Sequence, residues 1–213
     1  MLVPPQKFIK ACGIVQEAFR EIDDNSPPPI LVLKWQNLVQ KRLSSAGSNY
    51  KIQISSFEPV RAPDEAQIKG YLLRRNNDAE IFYAENESYC KQRFISAKEL
   101  AHLLIDGQEA FTKKPSSLMS KLIISGTPMA FIKKDEDQSM EDFESEMLAM
   151  MVATEMLVPW KYRNHFDGLC DKGQSPLEIA QVFKVPENVV KNMLTPMYRQ
   201  FSVIANSVAD KQF

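Results

Sequence analysis

The stretch "RFISAKELAHLLID", residues 93–106, decides how this chain is read. Wound as a helix, it sets Lys98 and His102 four residues apart, so both project from one face, with Glu99 on the flank. In the spacing H-E-x-x-H, two imidazoles one turn apart hold a metal and the glutamate beside the first activates water. Here Glu99 and His102 stand in register, while Lys98 fills the place of the first histidine. A lysine ammonium has no lone pair to give a metal. Its reference pKa of about 10.4 would have to fall by several units for it to ligate at neutral pH.

Upstream, residues 5–24 carry Phe8, Ile9, Cys12, Val15, Ala18 and Phe19 at helical spacing, and "SPPP" at 26–29 breaks the chain. A second helix is expected over about 30–45, with Leu31, Leu33, Leu38, Val39 and Leu43, ended by "SSAGSN". The period then changes to two. "YKIQISSF" (50–57), "KGYLLRR" (69–75) and "AEIFYAE" (79–85) read as short strands, with "NND" at 76–78 as a turn. A tight connection between the last two predicts a small, mainly antiparallel sheet. The 91–106 helix follows directly.

Downstream, residues 107–140 are irregular and hold "FTKKPSSLMSK", "LIISGTPMAFI" and "KKDEDQSMED". Helical signals return at about 140–158 and stop near Pro159. "SPLEIAQVFKVPENVVKNML" (175–194) predicts two short helices. Ser175 is placed as N-cap, Pro176 at the first helical position and Glu178 at the capping-box position. A last helix is expected over about 196–210. The expected organisation is a helical segment over 1–48, a core over 49–160 and a helical appendage over 161–213.

Composition narrows the function classes. The chain has 213 residues, 44% hydrophobic and 25% charged, which suits a globular protein. With 26 basic and 27 acidic residues its formal net charge is -1, so no global field draws it to nucleic acid or anionic membrane. The opening "MLVPPQKFIKACGIVQEAF" lacks the basic and apolar blocks of a secretory signal, and "MLAMMVATEMLVPW" is short and carries Glu155, so no membrane span is expected. Cys12, Cys90 and Cys170 are widely spaced and form neither a disulfide framework nor a metal knuckle. A cytoplasmic setting is the expectation.

A catalytic zinc needs three protein ligands and an open position. The third-ligand candidate is Glu146, which opens an apolar stripe continued by Ala149, Met150, Ala153 and Leu157. A carboxylate there needs a partner, because an unpaired buried charge is costly; a metal or a lysine would serve. The strand "AEIFYAE", then "RFISAKELAHLLI", an insert, "ESEMLAMMVATEMLVP" and "LEIAQVFKVPENVVKNML" come in an order that resembles the ImmA/IrrE-type metallopeptidase-like domain of bacterial and phage regulatory proteins. Arg93, Phe94, Ala97, Glu99 and His102 match its first block; Glu146, Ala149, Ala153, Leu157 and Pro159 match its second, where Met150 and Val152 replace Asn and Phe. Ile179, Ala180, Phe183 and Val185 match its third, so the resemblance covers about residues 68–194.

The resemblance implies an α+β fold, a small sheet packed by zincin-like helices with helical additions at both ends. It implies a pocket lined by Lys98 and Arg93, with His102 and Glu146 as metal ligands and Glu99 as general base. The metal implied is zinc, and Lys98 counts against it; no other cofactor is indicated. With that histidine missing, the expectation is a pseudoenzyme: a regulatory protein of phage or mobile-element type that acts by binding a repressor or other regulator. The alternative is a working zinc endopeptidase cleaving a repressor-type protein, with Lys98 or His165 of "WKYRNHF" as substitute ligand. A second alternative is a DNA-associated regulator using 175–194. "PENVVKNML" offers one lysine and little else to grip phosphate, so DNA binding is not expected and the segment reads as a packing appendage. The methionines Met147, Met150, Met151 and Met156 read as core filler.

Overall fold

Changes of period in the sequence become element boundaries in the computed structural model, which describes residues 4–22, 27–44, 49–59, 69–75, 77–106 and 139–212. The irregular 107–140 stretch lies almost wholly outside the described residues, as does Asn76 of the turn signal. The fold is α+β, with helices around a small mixed sheet.

Helix α1 (Pro5–Ile22) buries Phe8, Cys12, Val15, Ala18 and Phe19 of the residues its spacing selects, while Ile9 is only partly buried. Helix α2 (Val32–Ser44) buries Trp35, Leu38 and Val39, and the Trp35 indole donates to Met156 O at 3.0 Å. Leu31 and Leu33 were expected inside but are 49% and 58% exposed. Leu31 precedes the helix, and Leu33 lies on the face opposite Trp35.

Strands β1 (Lys51–Phe57), β2 (Gly70–Arg74) and β3 (Asp78–Ala84) form a sheet in the order β1-β3-β2. β2 and β3 are antiparallel from Gly70↔Tyr83 to Arg74↔Ala79, whereas β1 runs parallel to β3 from Lys51↔Asp78 to Phe57↔Ala84. The sheet is therefore mixed, not mainly antiparallel. A tight connection fixes β2 beside β3, but the longer chain between Phe57 and Gly70 lets β1 pass β2 and pair with the far edge of β3. Ile52, Leu72, Ala79 and Ile81 share one sheet face and pack with Trp35, Leu100, Ala101 and Leu103. On the free edge of β1, Gln36 Nε2 donates to Ile52 O and Gln40 Oε1 accepts from Ile52 N, both at 2.9 Å. Gly70 is required where β2 crosses the next helix: a Cβ there would meet Ile95 Cγ2 at 2.1 Å and Phe82 O at 2.9 Å.

Helix α3 (Tyr89–Ile105) contains the decisive stretch and is buried over Arg93–Leu103. It packs against α4 (Met140–Leu157), whose N-cap Ser139 accepts from Asp142 N at 3.0 Å. From Ala149 to Leu157 every residue of α4 is buried, which makes it the central helix; Met147, Met150, Met151 and Met156 fill the core as expected.

After Pro159 a 3-10 turn (Trp160–Tyr162) leads into α5 (Arg163–Asp171), an element not foreseen. Only Phe166 and Leu169 are buried in it, too few to show a period. Helices α6 (Pro176–Phe183) and α7 (Glu187–Met193) follow, with the capping box between Ser175 and Glu178 formed. Helix α8 (Pro196–Gln212) closes the fold along α1. One apolar cluster joins Phe8 and Cys12 to Phe94, Phe143, Phe166, Phe183 and Tyr198, so it draws on all three expected segments. No described helix is long and apolar enough to cross a membrane, and the three cysteines are free.

Glu155, a charge within the apolar run "MLAMMVATEMLVPW", anchors a buried polar cluster. Its Oε1 accepts from Arg163 Nη2 at 2.5 Å, Tyr198 OH at 2.8 Å and Ser202 Oγ at 3.0 Å. Asn206 donates to Ser202 O at 2.7 Å and accepts from Gln16 of α1. Burial and the Glu155 charge push the Tyr198 phenol well up, so it remains a donor.

Candidate functional site

The helical spacing of Lys98, Glu99 and His102 and the start of α4 converge in one buried cluster between α3 and α4. Lys98 Nζ lies 2.9 Å from Glu99 Oε1 and donates to Glu146 Oε2 at 3.0 Å. The other oxygen of Glu146, Oε1, is 3.2 Å from His102 Nε2, within ion-pair distance but without the alignment of a hydrogen bond. On the far side of the imidazole, Nδ1 is 2.7 Å from Asp106 Oδ2. Ser145 Oγ donates to the same carboxylate at 3.2 and 3.3 Å. Thus Glu99, Lys98, Glu146, His102, Asp106 and Ser145 form a continuous polar chain across two helices.

Burial gives these contacts their strength, since low-dielectric surroundings weaken competition from water. Lys98, Glu99 and His102 are all below 10% exposed. Burial works against the charge on Lys98, but the carboxylates of Glu146 and Glu99 outweigh it and hold the ammonium's pKa above its ordinary value. Burial also disfavours an imidazolium at His102. The bond to Asp106 and the contact with Glu146 overcome this and raise its pKa to about 9, against the opposing charge of Lys98. Burial alone would raise the Glu146 pKa; Lys98 and His102 instead lower it strongly. Both shifts favour the charged forms, an ammonium at Lys98 and an imidazolium at His102.

Four of the residues singled out in the sequence, Lys98, Glu99, His102 and Glu146, are brought together. Arg93 is placed elsewhere. Its guanidinium donates to Phe183 O at 2.9 Å, to Lys184 O and to Ile30 O, tying α3 to the α6–α7 turn and to the entry of α2. Lys184 is in the left-handed conformation at φ 53°, which turns the chain there. His165 is exposed on α5 with its ring 6.0 Å from that of Phe183. Among the described residues, no group of three or more His, Cys, Asp or Glu side chains is arranged to hold a metal ion.

Two members of the cluster were missed, Asp106 and Ser145. The signal for Asp106 was its i+4 spacing from His102, which on a helix brings the two side chains together. As the C-cap residue it also donates its backbone N–H to His102 O at 3.0 Å, and Arg74 of β2 reaches the same carbonyl at 3.0 Å. The His102 ring is thus oriented from its own helix end and its carbonyl is tied to the sheet. No protein-family model matches the chain, and no curated protein or solved structure matches it.

Proposed function

We propose that this chain is an ImmA/IrrE-like regulatory protein whose metallopeptidase-like pocket is held by a side-chain cation in place of zinc, and that it acts by binding a protein partner. The observation that carries this is the position of Lys98 Nζ, 2.9 Å from Glu99 and 3.0 Å from Glu146, the general base and the third ligand of the resembled site. A zinc site requires a neutral imidazole and a free carboxylate. Here the ammonium of Lys98, which has no lone pair to give, lies between the two glutamates where a second imidazole would have to ligate. These residues do not fit zinc as they stand. The cluster offers no free base beside an open metal position, so the role that remains for the scaffold is recognition.

The arrangement of α3 against α4 behind a small sheet supports the zincin-like reading of the fold. A regulator of repressor type is the partner this reading implies. The test is a cleavage assay of the full chain on a mixed peptide library, with and without added zinc, beside the Glu99→Gln variant. The expected result is no cleavage that distinguishes the two proteins. Zinc-dependent cleavage by the unmodified chain that Glu99→Gln abolishes would establish the working endopeptidase instead.

A further inference from the structure

Helix α8 docks through hydrogen bonds more than through apolar burial. Its buried stripe is Tyr198, Ser202, Ala205 and Asn206. The rings of Phe8 and Tyr198 meet edge to face with centroids 6.5 Å apart, and Gln16 donates to Asn206 Oδ1. Phe8 precedes Gln16 by the same step as Tyr198 precedes Asn206, so α8 lies parallel to α1. Cys12 and Ser202, both buried, fall on the rung between these two contacts. Glu155 of α4 reaches the same stripe and accepts from Tyr198 OH at 2.8 Å and Ser202 Oγ at 3.0 Å.

The apolar hold on α8 is thin. Tyr198 and Ala205 are buried, Phe201 and Val208 are half-buried, and Met197, Val203 and Ile204 are exposed. The central helix α4, by contrast, is buried without a break from Ala149 to Leu157. The Arg199–Asp167 pair, 3.5 Å apart, joins two well-exposed side chains and adds little. At the junction with α7, Pro196 has no amide to carry the hydrogen-bond ladder onward. Thr195 Oγ1 accepts from Tyr198 N at 3.3 Å, so α8 brings its own cap and needs none from the domain. The surface beneath it tolerates water: Glu155 keeps its ion pair with Arg163 when the hydroxyls leave, and hydration lowers the cost of holding that pair.

We infer that α8 is a latch: it swings off α1 as one unit about Leu194–Pro196 while the rest of the fold stays closed, and bares Phe8, Cys12 and Gln16 beside the Glu155–Arg163 pair. Elements with few buried apolar contacts open below the cost of global unfolding, and α8 is such an element. Cys12 reports the motion. Its thiol is buried on the middle rung, and burial and the Glu155 charge push its pKa well up, so it is inert while α8 is docked. The inference stands apart from the reading of the Lys98 pocket, since no residue of the latch belongs to that cluster.

The test is maleimide labelling of Cys12 in the full chain carrying Cys90→Ser/Cys170→Ser, beside amide hydrogen exchange read by mass spectrometry, both at neutral pH without denaturant. Cys12 is expected to open together with the α8 amides, at least about tenfold more often than the α4 amides, with α1 still protected. Ser202→Ala, which removes one latch bond, should speed Cys12 labelling severalfold. Ile81→Val, in the sheet core and remote from α8, separates the latch from overall stability. It should speed α4 exchange and leave Cys12 labelling unchanged. Cys12 labelling that Ile81→Val accelerates as much as α4 exchange would mean that only global unfolding frees the thiol, and overturns the proposal. So would α8 amides that stay protected while Cys12 reacts.

Discussion

Lys98 of α3 and Glu146 of α4, 48 residues apart in the chain, meet at 3.0 Å in a buried cluster. The pair joins the helix that carries Glu99 and His102 to the central helix of the fold. Removing the ammonium would take from Glu99 and Glu146 the cation they share in a poorly solvated site, with only His102 left beside Glu146. Lys98→Met is therefore expected to destabilise the protein by about 3 kcal/mol in urea unfolding. Lys98→Met/Glu146→Gln, which removes both charges of the pair, is expected to lose less than the sum of the two single changes. Strict additivity would show that the pair is not coupled.

His102 makes stability depend on pH in a defined direction. Its folded pKa is raised from 6.5 to about 9, so the folded state holds the proton more tightly than the unfolded one. The stabilisation is complete below the unfolded value and is lost as pH rises through about 9. Glu146 acts at the other end: its lowered pKa contributes stability above the unfolded value of 4.5 that disappears in acid. Unfolding free energies measured from pH 6 to 10 should fall for the unmodified protein. His102→Gln should flatten that fall, and an unchanged profile in the variant would contradict the assignment.

Arg93 offers a separate test of where the cluster ends. It bonds three backbone carbonyls from two other parts of the chain and makes no ion pair with Glu99 or Glu146. Arg93→Met is expected to cost about 3 kcal/mol, as buried carbonyls lose a charged donor. It should leave the His102 titration, followed by NMR of the imidazole, in place. A large shift of that titration would return Arg93 to the pocket.

Gly70 tests the sheet–helix contact. Gly70→Ala would force a methyl against Ile95 and the Phe82 carbonyl, and is expected to destabilise by roughly 1–3 kcal/mol. Thermal melting reads this directly; an unchanged melting temperature would mean that β2 does not cross α3 so closely.

What was legible in the sequence followed from period and punctuation. The helical spacing of Phe8, Cys12, Val15 and Phe19 marked α1, and Ser175, Pro176 and Glu178 marked the start of α6. The direction of β1 was not legible, because alternation with period two is the same for either pairing. Helix α5 was hidden by its two-residue apolar face, and the exposure of Leu33 follows from its angular position in α2, opposite Trp35, not from its apolar character. In the site, Lys98, Glu99 and His102 were legible from helical spacing alone. Glu146 was identified because a carboxylate opening a buried stripe needs a partner, and Lys98 is one. Asp106 lies within the same stretch, and its i+4 spacing from His102 is a legible sign of their contact. The buried role of Glu155 needed α5 and α8 in place, since Arg163, Tyr198 and Ser202 come from outside its own helix.

The most direct test of the central claim, that an ammonium takes the place of the metal, is zinc content. The unmodified chain and Lys98→His would be purified metal-free, equilibrated with one equivalent of zinc, desalted and analysed for bound metal. Little zinc is expected in the unmodified chain and near-stoichiometric zinc in Lys98→His, where a second imidazole replaces the ammonium and frees Glu146. Near-stoichiometric zinc in the unmodified chain would contradict it.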